Sequence, residues 1–594
     1  MTWHKRVPLL VVAAVLATTV LTSSAVADNP SGFKTQRPSM LTAVMPGVEV
    51  TPLLTVGDVL PSGYRYEAIP DGISVRTRGQ GRVDLFVNHE TSKVPFPYNT
   101  AAPTAVNGQS DFDNSQVSRL ILNQHSAGVL NGSFVIPSSA GFQRFCSNYL
   151  ATSREGFDRE ILFTNEESPD YSLRQEDSWP PVMGDPAEKE NGVVVALDVQ
   201  TGKYRTIFGM GRHNHENDVA IPGFDDLVVL SGDDTFTSGP LTGVPAPPTG
   251  TPPLPGPVPA QSQLYSYIAP DTDSLLDDEG DLWAFVSDTP GVKNYYDVAP
   301  GSASPVTGHF IKVPKNIATG HNSDGSELKA ADVGYPLPPT NGSWQRDLRS
   351  VTSVGIDGPQ WVLEYWSDIN NVFQFVRVED IAYDRTQDNI VYIVDSGRGR
   401  TAAQHAASPD TPFPSTNGRV WKMVLDPSDP TVVTSLTVLV EGDDNPVKTL
   451  NEIHQPDNVE STPTGLLVTE DPGSSQQFAP TDTSDNATTG RLWLVPFTGS
   501  PQVVVKIDQS ADGGVTDVGP LPTLDASIGN QGAWETTGIV DASAAFGPGA
   551  FLINVQAHTL WVEKAPGDDN FGAVGADFTF KREGGQLLLL RLPS

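Results

Sequence analysis

The stretch VDLFVNHE, from Val83 to Glu90, is a short apolar strand that runs straight into a carboxylate. The same ending recurs along the chain: ILFTNEE closes at Glu167, LVVLSGDD at Asp234, IVYIVDSG passes through Asp395, and LLVTED reaches Asp471. Strands of a radially repeated sheet bring such endings to one mouth, and a ring of oxygen donors there suits calcium or another hard cation. Further strand-like runs fill the intervals, among them GVVVALDV (192–199), SQLYSYI (262–268), DLWAFV (281–286), GRVWKMVLD (418–426), GRLWLVPF (490–497) and AFLINVQ (550–556). The endings are often about 65–85 residues apart, the spacing of a degenerate repeat. Between Asp234 and Asp395 the interval is about double, which implies an insertion or an unrecognised ending.

The fold class that follows is all-β, a β-propeller of six or seven blades with long loops. The 594 residues would suggest several domains by length alone, but propellers grow by adding blades around one axis, so residues 28–594 are expected to form a single domain. With 54 Gly and 51 Pro, frequent turns between short strands are expected. The segment GPLTGVPAPPTGTPPLPGPVPA (239–260) cannot pair as a central strand and reads as a solvated, Pro-rich insertion.

A net charge of −34 disfavours nucleic acid and anionic membranes as partners, since both would repel the chain. Residues 1–27 carry the marks of a Sec-type signal peptide. His4, Lys5 and Arg6 precede the apolar run Val7–Leu21, and Ala25-Val26-Ala27 offers a cleavage site near Ala27. The expected product is secreted or extracytoplasmic, without a membrane span, and monomeric. One cysteine, Cys146, cannot form an internal disulfide; it is an apolar filler, a reactive thiol or a soft metal ligand.

Asn-His-Glu occurs at Asn88–Glu90 and again at Asn214–Glu216, which makes Glu90 and Glu216 the first candidates for a shared cavity. Adjacent acids end two strands, at Glu166-Glu167 and Asp233-Asp234; neighbours in a strand point to opposite faces, so one of each pair would face a site. Glu379-Asp380 and Asp457-Asn458 stand before strands that end at Asp395 and Glu470. The chain lacks a G-x-S-x-G nucleophile elbow, an H-E-x-x-H zinc motif and a phosphate-binding P-loop.

Taken in order, the motifs resemble the PhoX-type alkaline phosphatases. They are VNHE (87–90), FCSNYLA (145–151), LFTNEE (162–167), GRHNHE (211–216), VVLSGDD (228–234), RVEDIAYD (377–384), QPDNVE (455–460), WETTGIVD (534–541) and FLINVQAHT (551–559). That resemblance implies an exported β-propeller phosphatase using calcium and iron. It assigns Cys146, Glu167 and Glu216 to an iron pair, and Glu90, Asp233, Glu379, Asp457 and Glu470 to calcium or to supporting positions. It makes Asn458 a contact to the phosphoryl group. Arg212 or Arg377 would balance phosphoryl charge, and the substrate would be a small phosphate ester. Two departures from the family pattern stand out: Arg6 follows Lys5 where a twin arginine is usual, and Asn214 occupies a position that is basic in many members. The alternatives from the residues alone are a non-catalytic, calcium-stabilised propeller serving as a binding or surface protein, and a calcium-dependent lactonase-like hydrolase.

Overall fold

The computed structural model describes residues 31–90, 115–168, 171–173, 188–235, 262–337, 357–397, 417–442, 451–471, 489–511, 534–563 and 580–593, apart from 300, 301, 303, 509 and 510. The signal-peptide expectation (1–27) and the Pro-rich insertion (239–260) lie outside these residues. No helix among the described residues is long and apolar enough to cross a membrane.

The chain is all-β, and its sheets are arranged like the blades of a propeller. Six antiparallel four-stranded meanders are present among the described residues. Their innermost strands are Ile69–Gly79, Phe145–Ala151, His215–Ile221, Val378–Tyr383, Pro456–Thr462 and Glu535–Asp541. Each packs against the next, and the sixth returns to the first, which closes the ring. The sixth meander is completed by the N-terminal strand Glu49–Thr55, which pairs with Phe580–Arg591. Closure in this way leaves no gap between first and last sheets.

The strands form because alternate positions carry branched or aromatic side chains that interleave between neighbouring sheets. Leu85, Val87, Leu120 and Leu122 of the first meander, for example, belong to one buried cluster with Leu588 and Leu590 of the sixth. Each fully buried side chain of this size stabilises the ring by about 1.5–3 kcal/mol. The long interval between Asp234 and Asp395 is an insertion rather than a missed ending. It holds a fifth strand, Val306–Lys312, which links the third and fourth meanders, and the helix Pro359–Ile369.

All six inner strands share a β-bulge at the same level. Two residues there oppose one on the second strand: Asp71-Gly72, Cys146-Ser147, Glu216-Asn217, Glu379-Asp380, Asp457-Asn458 and Gly538-Ile539. A bulge breaks the period of two and re-aims a side chain that regular pleating would place elsewhere. Glu379-Asp380 and Asp457-Asn458, expected before their strands, therefore lie inside them. In the sixth meander the position goes to Gly538, at φ +59°, where a Cβ would stand 2.4 Å from the Asp71 carbonyl oxygen. Only glycine fits that approach.

Candidate metal centre at the mouth of the ring

The bulges determine which side chains meet. The first bulge residues Asp71, Cys146, Glu216, Glu379 and Asp457 are buried. Two sets of three ligand atoms lie mutually within 4.8 Å: Cys146, Glu167 and Glu216 in one, and Glu216, Glu379 and Asp457 in the other. Glu216 belongs to both. Its Oε1 accepts from Cys146 Sγ (2.9 Å) and from Ser147 Oγ (3.1 Å).

Register explains the second contribution. His89, Glu166, Asp233, Asp395 and Glu470 stand opposite the residue before the bulge, and each next residue, Glu90, Glu167, Asp234, Ser396 and Asp471, follows one position on. Neighbouring residues point to opposite sides. Those of the first row turn into their own meander and support it. Glu166 accepts from the Gln143 amide (2.9 Å), and Asp395 from Trp421 Nε1 (2.8 Å). Glu470 accepts from Arg491 Nη2 (2.7 Å) and Trp493 Nε1 (2.9 Å).

The second row turns to the mouth. Arg144 reaches both Glu90 and Glu167 at 3.1 Å. Arg377 grips Asp234 through Nε (2.9 Å) and Nη2 (3.0 Å), and lies 3.1 Å from Glu379. Ser396 donates to Glu379. Arg144 and Arg377 hold equivalent positions just before the bulge, each with a left-handed backbone (φ 49° and 62°). Such a conformation is uncommon outside glycine and concentrates at functional sites.

This register sorts the sequence-based assignments between the two expected roles and corrects others. Asp233 and Glu470 fall in the supporting row, while Asp234 and Asp471 occupy the mouth row. Arg212 is fully buried on the flank of the third meander, where it donates to the Glu190 carbonyl and lies 3.6 Å from Glu327. The two Asn-His-Glu copies are not equivalent: the first ends a second strand, and the second begins an inner strand. Asn214, at the position the resemblance gives as basic in many members, is the counterpart of Arg144 and Arg377 and donates to the Asp234 carbonyl. Asn458 is fastened within the ring. Its Oδ1 accepts from Thr537 Oγ1 (2.8 Å) and the Gly538 amide (2.6 Å), and its Nδ2 donates to Ser147 Oγ (3.2 Å).

Sequence reading missed Arg144 and Asp71, and of the pair Asp233-Asp234 it took Asp233. For Asp234 the signal existed: aligning Asn165-Glu166-Glu167 with Gly232-Asp233-Asp234 selects the last residue of each. Asn88 and Asn165, each opposite its own bulge, tether the next one. Asn88 Nδ2 donates to the carbonyls of Cys146 (2.8 Å) and Ser147 (3.0 Å), and Asn165 Nδ2 to that of Glu216 (3.0 Å).

The electrostatics of the mouth are unfavourable without a counter-charge. Burial, then Glu167, Glu379, Asp457 and Asp71, pushes Glu216 well above the usual carboxylate range. Burial raises Glu167 to about 8, Asp234 and Glu90 adding to the rise while Arg144 opposes it. Asp71 rises to about 7 through burial and the nearby Glu90. The Cys146 thiol is pushed up by burial and by Asp71, Glu216, Glu167 and Glu90. Asp71 Oδ2 is buried with no hydrogen-bond partner. Converging carboxylates of this kind repel one another unless protons or a cation neutralise them.

No protein-family description matches the chain, and no curated protein matches it. Among solved structures it is similar to Trypanosoma rangeli sialidase in complex with 2,3-difluorosialic acid, at 8% identity and a TM-score of 0.31, covering 92% of this chain and 60% of that one. It is also similar to a glycosyl hydrolase from Bacteroides ovatus, at 8% identity and a TM-score of 0.24, covering 80% of this chain and 93% of that one. The chain thus spans about 60% of the length of the sialidase.

The supporting row yields a prediction of its own. Glu470→Gln leaves Arg491 buried without its full counter-charge, and breaking such a pair costs about 3–5 kcal/mol. Chemical denaturation is expected to show that loss, while the metal content of the folded protein stays at the wild-type level. A parallel loss of metal would return Glu470 to the mouth.

Proposed function

We propose that the chain is an exported, metal-dependent phosphomonoesterase, as its resemblance to the PhoX-type enzymes implies. The observation that carries this reading is the pair of ligand triads sharing Glu216, with Arg144 and Arg377 beside them. The donor chemistry fits two kinds of ion. Cys146 with Glu167 and Glu216 offers one sulfur and two carboxylates, a set suited to iron, and Glu216 with Glu379 and Asp457 offers oxygen alone, as calcium prefers. The partnerless Asp71 Oδ2 beside them fits a further oxygen donor. Bound there, such cations would supply Lewis-acid polarisation of a phosphoryl oxygen.

The chain's own residues provide the rest. Arg144 and Arg377 place two guanidinium groups beside the triads, where positive charge matches the transferring phosphoryl group. Asn458 ties the fifth inner strand to the second and sixth and so holds Ser147 and Glu216 in place. Without cations, the mouth carboxylates would repel a phosphate dianion. Exhaustive chelation is therefore expected to abolish hydrolysis of p-nitrophenyl phosphate, and readdition of calcium with iron to restore it. Undiminished turnover in the chelated protein would refute the reading.

A propeller stabilised by calcium alone is the competing reading, favoured by the engagement of both guanidinium groups with carboxylates. It predicts that chelation lowers thermal stability in a protein that turns over no phosphate ester.

A further inference from the structure

All six inner strands run on past the bulges, away from the mouth, and there they surround a cavity of about 280 Å³. Ile73, Val219, Ile381, Val459 and Ile539 give it an apolar belt, with Tyr149 and Tyr383 in the same wall. Cavities that take whole drug-sized molecules run about 300–1,000 Å³, so this one suits a smaller organic ligand.

The polar part of the wall is unbalanced in charge. It carries four carboxylates, Glu155, Asp380, Glu460 and Asp541, against two guanidinium groups, Arg154 and Arg385. Both guanidinium groups are already committed. Arg385 donates to Glu460 Oε1 (2.6 Å), to the Tyr383 hydroxyl (3.0 Å) and to the Ser461 carbonyl (3.2 Å). Arg154 donates to Asp388 Oδ1 (2.8 Å), a residue outside the cavity wall. The other three carboxylates accept from neutral donors. Glu155 accepts from the Tyr383 hydroxyl (2.7 Å) and the Thr152 amide (2.8 Å), and Asp380 from Asn217 and the Val459 amide (2.8 Å). Asp541 has one donor, the Ser543 amide (2.7 Å). No ion pair to any of these three is present among the described residues. Hydrogen bonds link the acids into one wall: Glu155 to Tyr383, Tyr383 to Arg385, Arg385 to Glu460, and Glu460 Oε2 to the Asp541 amide (3.1 Å).

We propose that this cavity binds a small organic amine in its ammonium form, with the apolar body against the belt and the charged group toward Asp541. The site is separate from the mouth and does not depend on the phosphatase reading. The surplus of carboxylates repels an organic anion, and apolar walls strengthen its attraction for a cation. A bare metal ion would leave the belt uncovered. The net charge of −34 adds a long-range field that draws cations to the chain.

Calorimetric titration of the full chain with phenethylamine, 2-phenylethanol and phenylacetate compares one shape in three charge states. Phenethylamine is expected to bind roughly tenfold more tightly than the alcohol, since hydrogen bonds to a charged group are about twice as strong as neutral ones. Phenylacetate should not bind. Equal binding of amine and alcohol, or no binding of the amine, overturns the proposal. Asp541→Asn is expected to remove the preference for the amine while the alcohol binds as before. Should that variant fail to fold, Val540→Trp, which fills the cavity, is expected to abolish binding of both. Glu216→Gln separates the two acidic regions. Unchanged amine binding in that variant supports the cavity; loss there, with retention in Val540→Trp, would place the amine at the mouth and overturn the proposal.

Discussion

Glu216→Gln is expected to reduce phosphomonoester hydrolysis roughly 100-fold or more, the upper range for disturbing the partners of a metal ligand. Glu216 is singled out because both triads use it and because it accepts from Cys146 and Ser147. Metal analysis should show ions lost from both halves of the centre. Glu379→Gln, which touches one triad, should retain the iron fraction. Stability should move the other way in the chelated protein. Wild-type Glu216 is forced toward protonation by burial and by four neighbouring acids, and a neutral glutamine removes that repulsion. Chelated Glu216→Gln should therefore melt higher than chelated wild type above neutral pH. Full activity together with full metal content in the variant would end the shared-ligand account.

Removal of divalent ions should also reverse the pH dependence of stability. Burial, before any neighbour, raises Glu167 from 4.5 to about 8 and Asp71 from 3.8 to about 7. A carboxyl whose folded pKa is raised binds its proton more tightly in the folded state. Its contribution is complete below the unfolded pKa and is lost as pH rises through the folded value. The chelated protein should thus be most stable near pH 4 to 5 and weaken steadily up to about pH 8. With metals bound the trend is opposite, because cations compete with protons for the same oxygens. Calorimetry at about pH 5 and about pH 8.5, with and without chelator, reads both slopes. A chelated protein that is no less stable at the higher pH would show that the mouth carboxylates are neutralised from within the chain.

Much of this site was legible in one dimension. Cys146, Glu167, Glu216, Glu379 and Asp457 were all named from their motifs, and all five enter the two triads. What misled the reading was parity. Asp233 and Glu470 are as acidic as Asp234 and Asp471, and a strand-end pair does not declare which member faces outward until its register is known. Arg212 was expected to balance phosphoryl charge, yet it is buried against the Glu190 carbonyl. Arg144 went unnoticed since nothing in its neighbourhood announces a left-handed backbone.

The sequence by itself determined an all-β chain, its strand periods and the placing of acids at strand ends, because these follow from side-chain chemistry over a few residues. Tertiary structure alone decided which acids meet. Five of the six bulges, all at one level, aim Asp71, Cys146, Glu216, Glu379 and Asp457 inward, and Asn88, Asn165 and Asn458 tie those of the second, third, fifth and sixth meanders to a neighbour. Those ties join residues about 50 to more than 300 positions apart, beyond the reach of any local pattern.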